Sequence, residues 1–384
     1  MPVSEATNRV AARESAPHDR ARTRQVLDCG GVGVELMSDD AAVIDFVVEY
    51  FQPWFRPTSR APEWRVTVTS AASAYADVQR RQPGAAPPQP CFAHDQQVLS
   101  LPAWTSGDGV EVCDAERSCF LRLSPGRVEL CADPRTRRWR FTLLWIVQEI
   151  AATRLRQNQI DLHAAAVERA GRALLIAGPK NAGKTTLSLH LMRGHGCDSI
   201  ANDRSFVVGG ARARVTGMPT AVKIRAQTLA QFPALQRGLP PVARPYLYTL
   251  AELETAAPSA ERPEAVDFAL TPNQLAQRLG AGTCAAAALG AIVFPQICAE
   301  EAAWAVEPLA ADDVVAGIHA NLYGAASGAR PATLFERFGG GIHRPSHEVV
   351  TTIAAGVEGY RVRLGRAAYD DGSLGERLLR LLAP

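Results

Sequence analysis

The sequence predicts an α/β chain in two parts, a smaller N-terminal α/β or β-rich module and a larger unit centred on a strand, a glycine loop and a helix. Three observations carry that prediction. Over residues 26–138, short runs alternate apolar with polar residues and are separated by turn residues, the pattern of half-buried strands. From about residue 158 onward, short apolar runs are interleaved with helical spacing. Between two such elements, residues 173–192, "ALLIAGPKNAGKTTLSLHLM", fit G-x-x-x-x-G-K-[ST], with an apolar strand before the loop and a helix after it.

The 384 residues suffice for two to three domains, and 47% hydrophobic with 21% charged residues is the balance of a globular chain. A formal net charge of +2 gives no electrostatic preference for nucleic acid or for an anionic membrane, so neither is expected as a partner. Eight dispersed cysteines without a C-x-x-C pair point to buried free thiols rather than a disulfide framework or a zinc site. Residues 1–25 lack an apolar core and are expected to form a disordered tail rather than a signal peptide, in a cytoplasmic protein with no membrane span.

The N-terminal module is expected over 26–138. "VLDCGGVGVELMS" reads as a strand or hairpin. "DDAAVIDFVVEYFQPWF" has helical spacing from an Asp cap to a Pro stop. "WRVTVTS" alternates as a strand, "AAPPQP" reads as a Pro-rich turn or loop, and "QQVLSLP", "CFLRLS" and "RVELCAD" read as an antiparallel meander. Residues 139–157 belong to a long amphipathic connecting helix, "RRWRFTLLWIVQEIAATRLRQNQ". In the remainder, 158–384, "IDLHAAAVERAGRALLIAG" reads as two strands around a turn at Ala170-Gly171. "KTTLSLHLMRG" reads as a helix closed by Gly194 and Gly196, "CDSIAND" as a strand, and "RSFVVGGARARVTG" as a hairpin around Gly209-Gly210. "TAVKIRA" and "AAALGAIVFPQ" read as strands, and "TPNQLAQRLG", "PLAADDVVAGIHANLYG" and "GSLGERLLRLLAP" as helices, the first with a Thr cap, Pro at its first position and Gln three after the cap. Residues 237–265, rich in Pro and Ala, are expected as a surface excursion or lid.

The loop "GPKNAGKTT" explains its own composition. Gly178 and Gly183 let the backbone curl until successive N–H groups point inward, across Pro179, Lys180, Asn181 and Ala182, and the helix starting near Lys184 aims its positive end at the same place. Lys184 can bridge outer phosphates, the Thr185 hydroxyl can ligate Mg2+, and Thr186 completes the first turn, so ATP and Mg2+ are the expected cofactors. Of the 41 basic residues only Lys180, Lys184 and Lys223 are lysine, and two of those lie in the loop, where a compact ammonium is hard to replace by a planar guanidinium. Asp203 ends an acidic strand segment 19 residues after Lys184, placed to hold a metal or to take a proton from a hydroxyl, or else to cap a turn.

The run "LHAAAVERAGRALLIAGPKNAGKTTLSLHLMRGHGCDSIANDRSFVV" resembles the core of the HPr kinase/phosphorylase superfamily, whose nucleotide-binding fold is akin to that of phosphoenolpyruvate carboxykinase. The resemblance rests on His163 before the loop strand, on Arg193-Gly194-His195 at the helix end, and on Asn202-Asp203-Arg204 after the next strand; it covers about 158–230 well and extends weakly to 325. It implies a nucleotide core of the HPr kinase/carboxykinase type, phosphates on residues 178–186, Mg2+ near Thr185 and Asp203, and His163 near the transferring phosphate. Two positions depart from the family pattern: Asn202 stands where the first acid of a pair is usual, and Thr186 where a Glu is common.

Taken together, the sequence predicts a Mg-dependent kinase that moves the γ-phosphate of ATP to a hydroxyl, on a serine of a peptide or protein or on a small metabolite, with Asp203, His163 and Lys184 catalytic. The alternative is an ATP-binding regulatory or scaffold protein with a degenerate site, which Asn202 favours; a carboxykinase-like or phosphorolytic activity needs more acidic metal ligands. Asn202, Arg204 and Lys223 are candidate substrate or phosphate contacts, with Arg204 equally able to pair with a carboxylate and Lys223 to be a surface lysine. His163 can also be read as a buried core histidine. In "GGGIHRPSHE", Arg344 and two histidines mark a loop or a substrate lid. Formation of a homo-oligomer is left open.

Overall fold

The structure, a computed structural model, describes residues 22–383 apart from 83, 85, 95–96, 211–212, 238–241, 243, 257–266, 324–329, 342 and 344. It is a mixed α/β protein with two large sheets and a two-stranded ribbon among the described residues.

The first sheet runs Arg56–Pro57, Thr23–Asp28, Gly33–Ser38, Trp64–Ser70, Arg127–Ala132, Cys119–Ser124, Gly109–Asp114, Gln97–Ser106, Pro88–His94. Its first strand begins at Thr23, inside the segment expected as a tail. Gly33–Ser38 pairs in parallel with Trp64–Ser70, which requires a crossover, and helix Ala41–Phe51 supplies it. Asp40 caps that helix, its Oδ1 accepting from the Ala42 N–H at 3.0 Å. The meander from Pro88 to Ala132 is antiparallel, as its alternation indicates, but it contains Gly109–Asp114 as an additional strand. "AAPPQP" is not a loop throughout: Pro88–His94 is the outermost strand, where a residue without an N–H leaves no ladder bond unmade on the outer side.

Helix Trp139–Leu155 is not amphipathic in its surroundings. Nearly every residue is buried, including Arg140, Gln148 and Glu149, because it packs against the first sheet on one side and the rest of the chain on the other. Its leucines and Trp145 share one core with the strands of the first sheet and with Phe206, Met218 and Phe335 from the second unit, so the helix belongs to the N-terminal core as much as it connects. Its polar groups bind across that junction: Gln148 donates to the Pro219 carbonyl at 2.6 Å, and Arg140 to Glu252 at 2.7 Å. Trp54 Nε1 likewise donates to the Ile200 carbonyl at 2.7 Å. A Cβ at Gly217 would stand 1.9 Å from that same oxygen, so only glycine admits the contact.

The second sheet runs Ile160–Leu162, Ser205–Val208, Arg214–Gly217, Ala286–Ile297, Arg172–Ala177, Ala164–Arg169, Asp198–Ala201. Gly359–Leu364 adds in parallel to the far half of the long strand Ala286–Ile297, and Ala305–Pro308 pairs with it. Helices Ala311–Ala320 and His347–Gly356 cover one face, and Lys184–His195 with Ser373–Arg380 cover the other. Helix Lys184–His195 passes through Gly194 and ends at Gly196, which is left-handed. Helix Pro272–Leu279 has the full capping box, Thr271 with Gln274, that its sequence announces. Val222–Arg225 leaves the large sheet and pairs with Asp267–Leu270. Part of 237–265 lies outside the described residues; its described portion includes helix Leu250–Thr255, docked through Glu252 on Arg137 and Arg140.

Candidate functional site

Strand Arg172–Ala177 is buried along nearly its whole length, and from its carboxyl end residues 178–183 form a tight loop that ends at helix Lys184–His195. Asn181 (φ 72°) and Gly183 (φ 102°) are both left-handed, and the Ala182 N–H donates to the Pro179 carbonyl at 3.2 Å, so the backbone curls tightly between the strand and the helix. At Gly183 a side chain is also excluded, since a Cβ would lie 2.9 Å from Leu364 Cδ1. Lys184 is buried and donates to the carbonyls of Gly178 at 2.7 Å and Pro179 at 3.1 Å. Burial pulls its ammonium down to about 8, with Asp203 pulling the other way. Lys180 and Asn181 are exposed at the loop tip, Ala182 is buried, and Thr185 and Thr186 are half-buried in the first helical turn. Thr186 Oγ1 is tied to Thr228 Oγ1 at 3.0 Å, a partner no sequence pattern indicates.

His163 and Asp203 reach the same end of the sheet by strand register. The chain breaks at His163 between Ile160–Leu162 and Ala164–Arg169, which pair with different neighbours. Because Ala164 pairs with Ala177, His163 is set beside the start of the loop. Ala166 pairs with Ala201 in the next strand, so Asp203 arrives level with His163. The His163 Nε2···Asp203 Oδ1 distance is 2.9 Å. The acidic strand is therefore not adjacent to the loop strand; Ala164–Arg169 lies between them. Asn202 precedes Asp203 in the same bend and is half-buried.

Arg204 pairs with carboxylates, one of the two roles its sequence position allows. It is buried, with Nη2 2.8 Å from Asp161 Oδ2, Nε 3.1 Å from Oδ1 and Nη1 3.4 Å from Glu149 Oε1. Asp161 also accepts from Arg156 at 2.9 Å, and Arg156 reaches Glu336 at 2.8 Å, with Arg330 on the same carboxylate. Three arginines and three carboxylates thus form one buried chain beneath the His163–Asp203 pair. Burial alone would raise Asp161; Arg204 and Arg156 overcome it and hold the carboxyl below its ordinary range. Asp161, two residues before His163, is the carboxylate that Arg156 and Arg204 share, and the sequence reading does not single it out.

Lys223 lies on the ribbon strand Val222–Arg225, exposed, with Tyr246 in electrostatic range. His319 and His347 stack on each other, with ring nitrogens 3.1 Å apart. Arg344 lies outside the described residues, and no group of three metal-binding side chains occurs among those described. A cavity of about 790 Å3 lies on the N-terminal sheet, lined in part by Arg65, Arg122, Arg127, Trp104 and Glu129, and the glycine loop contributes no residue to it. No helix among the described residues is long and apolar enough to cross a membrane. No family model matches the chain, and a search of curated proteins finds no match.

Proposed function

We propose that the chain is a Mg-dependent phosphotransferase of the HPr kinase-like type, which binds ATP on the 178–186 loop and passes its γ-phosphate to a hydroxyl. The observation that supports this best is convergence: a loop curled through left-handed Asn181 and Gly183, with a buried lysine, and a His163–Asp203 pair meet at one end of one sheet. The loop N–H groups and the helix N-terminus hold phosphate oxygens, and Lys184 turns its ammonium from the Gly178 and Pro179 carbonyls to the outer phosphates. The oxygen donors on hand, Thr185 and Asp203, suit Mg2+, which needs one or two protein oxygens when phosphates supply others. Bound there, Mg2+ would neutralise charge on the phosphates. The His163–Asp203 pair receives the proton as the acceptor oxygen bonds to the γ-phosphorus and the bond to the bridging oxygen breaks, releasing ADP.

The test is Mg·ATP binding by titration calorimetry, then acceptor-dependent ADP formation. Asp203→Asn is expected to keep binding and to lose turnover by about 10²-fold, the usual scale of one acid–base group. Equal turnover in both proteins removes Asp203 from the chemistry. Binding without turnover on any acceptor favours the second reading, an ATP-binding regulatory or scaffold protein, for which Asn202 speaks.

Affinity should also report Lys184. With its free ammonium near 8 and a bound polyphosphate raising it, binding takes up a proton above that pH. Calorimetry across pH should show affinity level below pH 8, then falling by up to about tenfold per unit above it.

A further inference from the structure

The glycine loop has two unlike flanks. Strand Arg172–Ala177 pairs antiparallel with Ala164–Arg169 on the side of His163 and Asp203, and parallel with Ala286–Ile297 on the other. Gly359–Leu364 is parallel to that strand in turn, with Ile297 paired to Leu364; because Ile176 pairs with Val293, these two strand ends run about three residues past Ala177, alongside the loop. Ligands of open α/β sheets sit at such ends.

The flank away from His163 is apolar. A Cβ built on Gly183 would lie 2.9 Å from Leu364 Cδ1 and 3.6 Å from Ile297 Cγ1, so these two side chains wall the loop. Leu364 is buried, but Ile297 is 56% exposed, the most exposed large hydrophobic among the described residues. Its position is firm, because the next residue, Cys298, donates its N–H to the Leu364 carbonyl at 2.9 Å and binds the two strand ends together. A rigid, exposed isoleucine offers nothing to phosphate oxygens, but its methyl groups match the face of an aromatic ring.

We propose that this flank is a nucleobase subsite, with Ile297 as the contact for the purine ring of the bound nucleotide. The proposal rests on the nucleotide reading above and adds direction to it. The terminal phosphate points to His163 and Asp203, the phosphates cross the loop at Lys184, and the nucleoside leaves over Ile297.

The experiment compares Mg·ATP with Mg·tripolyphosphate, which has the phosphates and no base, on wild type, Ile297→Ala and Lys184→Met, by titration calorimetry. Wild type should bind ATP more tightly than tripolyphosphate. Ile297→Ala should weaken ATP by about five- to tenfold, the scale of losing a few buried methyl groups, and leave tripolyphosphate unchanged. Lys184→Met should weaken both ligands. Equal wild-type affinity for the two, or an Ile297→Ala that leaves ATP unchanged or weakens both ligands alike, overturns the subsite while the loop assignment stands. Failure of wild type to bind either ligand overturns the nucleotide reading and the subsite with it.

Discussion

Replacing Lys184 with methionine is expected to weaken Mg·ATP binding and cut turnover severely while raising, not lowering, the melting temperature. The ammonium is buried and its pKa is drawn from 10.5 to about 8, so at neutral pH the folded state holds a charge it would rather not hold. Below pH 8 the charged form is the one present in both states, and the penalty is felt in full; it fades as pH rises toward the unfolded value. Methionine keeps the volume and removes the charge, so the gain should be about 1–3 kcal/mol at pH 7, after allowing for the lost bonds to the Gly178 and Pro179 carbonyls. The functional loss should be about 10³-fold in turnover, since positioning and charge neutralisation supply most of phosphoryl transfer. Thermal melts with and without Mg·ATP, beside a turnover assay, check both parts. A variant that melts lower and binds ATP as tightly as wild type would remove the lysine from its assigned role.

Arg204→Ala should be the most destabilising single change near the site. It strips the guanidinium from Asp161 and Glu149 and leaves two carboxylates buried without it. Breaking one partner out of a buried ion pair costs about 3–5 kcal/mol, far more than the pair contributes against a well-packed apolar alternative. Because Arg204 follows Asp203 directly, turnover should fall with stability, whereas Asp203→Asn should lose turnover and melt close to wild type. Asp161 is held below its ordinary range, so the stabilisation it provides is complete above that range and is lost as pH falls through its folded-state value. Denaturant melts of wild type and Arg204→Ala at neutral and acid pH should converge as the acid limit is approached. Identical neutral melts would show that the buried chain does not hold the site.

Local patterns were the most legible. The Asp40 cap, the Thr271–Gln274 capping box, the hairpin at Ala170-Gly171 and the loop itself are each set by residues a few positions apart, and each appears where its signal lies. The amphipathic reading of Trp139–Leu155 failed because periodicity sees one buried face, and here a second unit covers the other. Pro88 and Pro90 read as a loop because proline is costly inside a sheet, a cost that disappears in an outermost strand.

The site divides along the same line. The loop is a contiguous motif, so its residues, its curl and its lysine were determined by the sequence alone. The pairing of His163 with Asp203 depends on register through Ala164–Ala177 and Ala166–Ala201, and no short window contains that information. Arg204 shows the difference most plainly: beside Asp203 in sequence it can serve phosphate or carboxylate equally well. The fold buries it against Asp161 and Glu149, and a buried guanidinium must take the acids it is buried with.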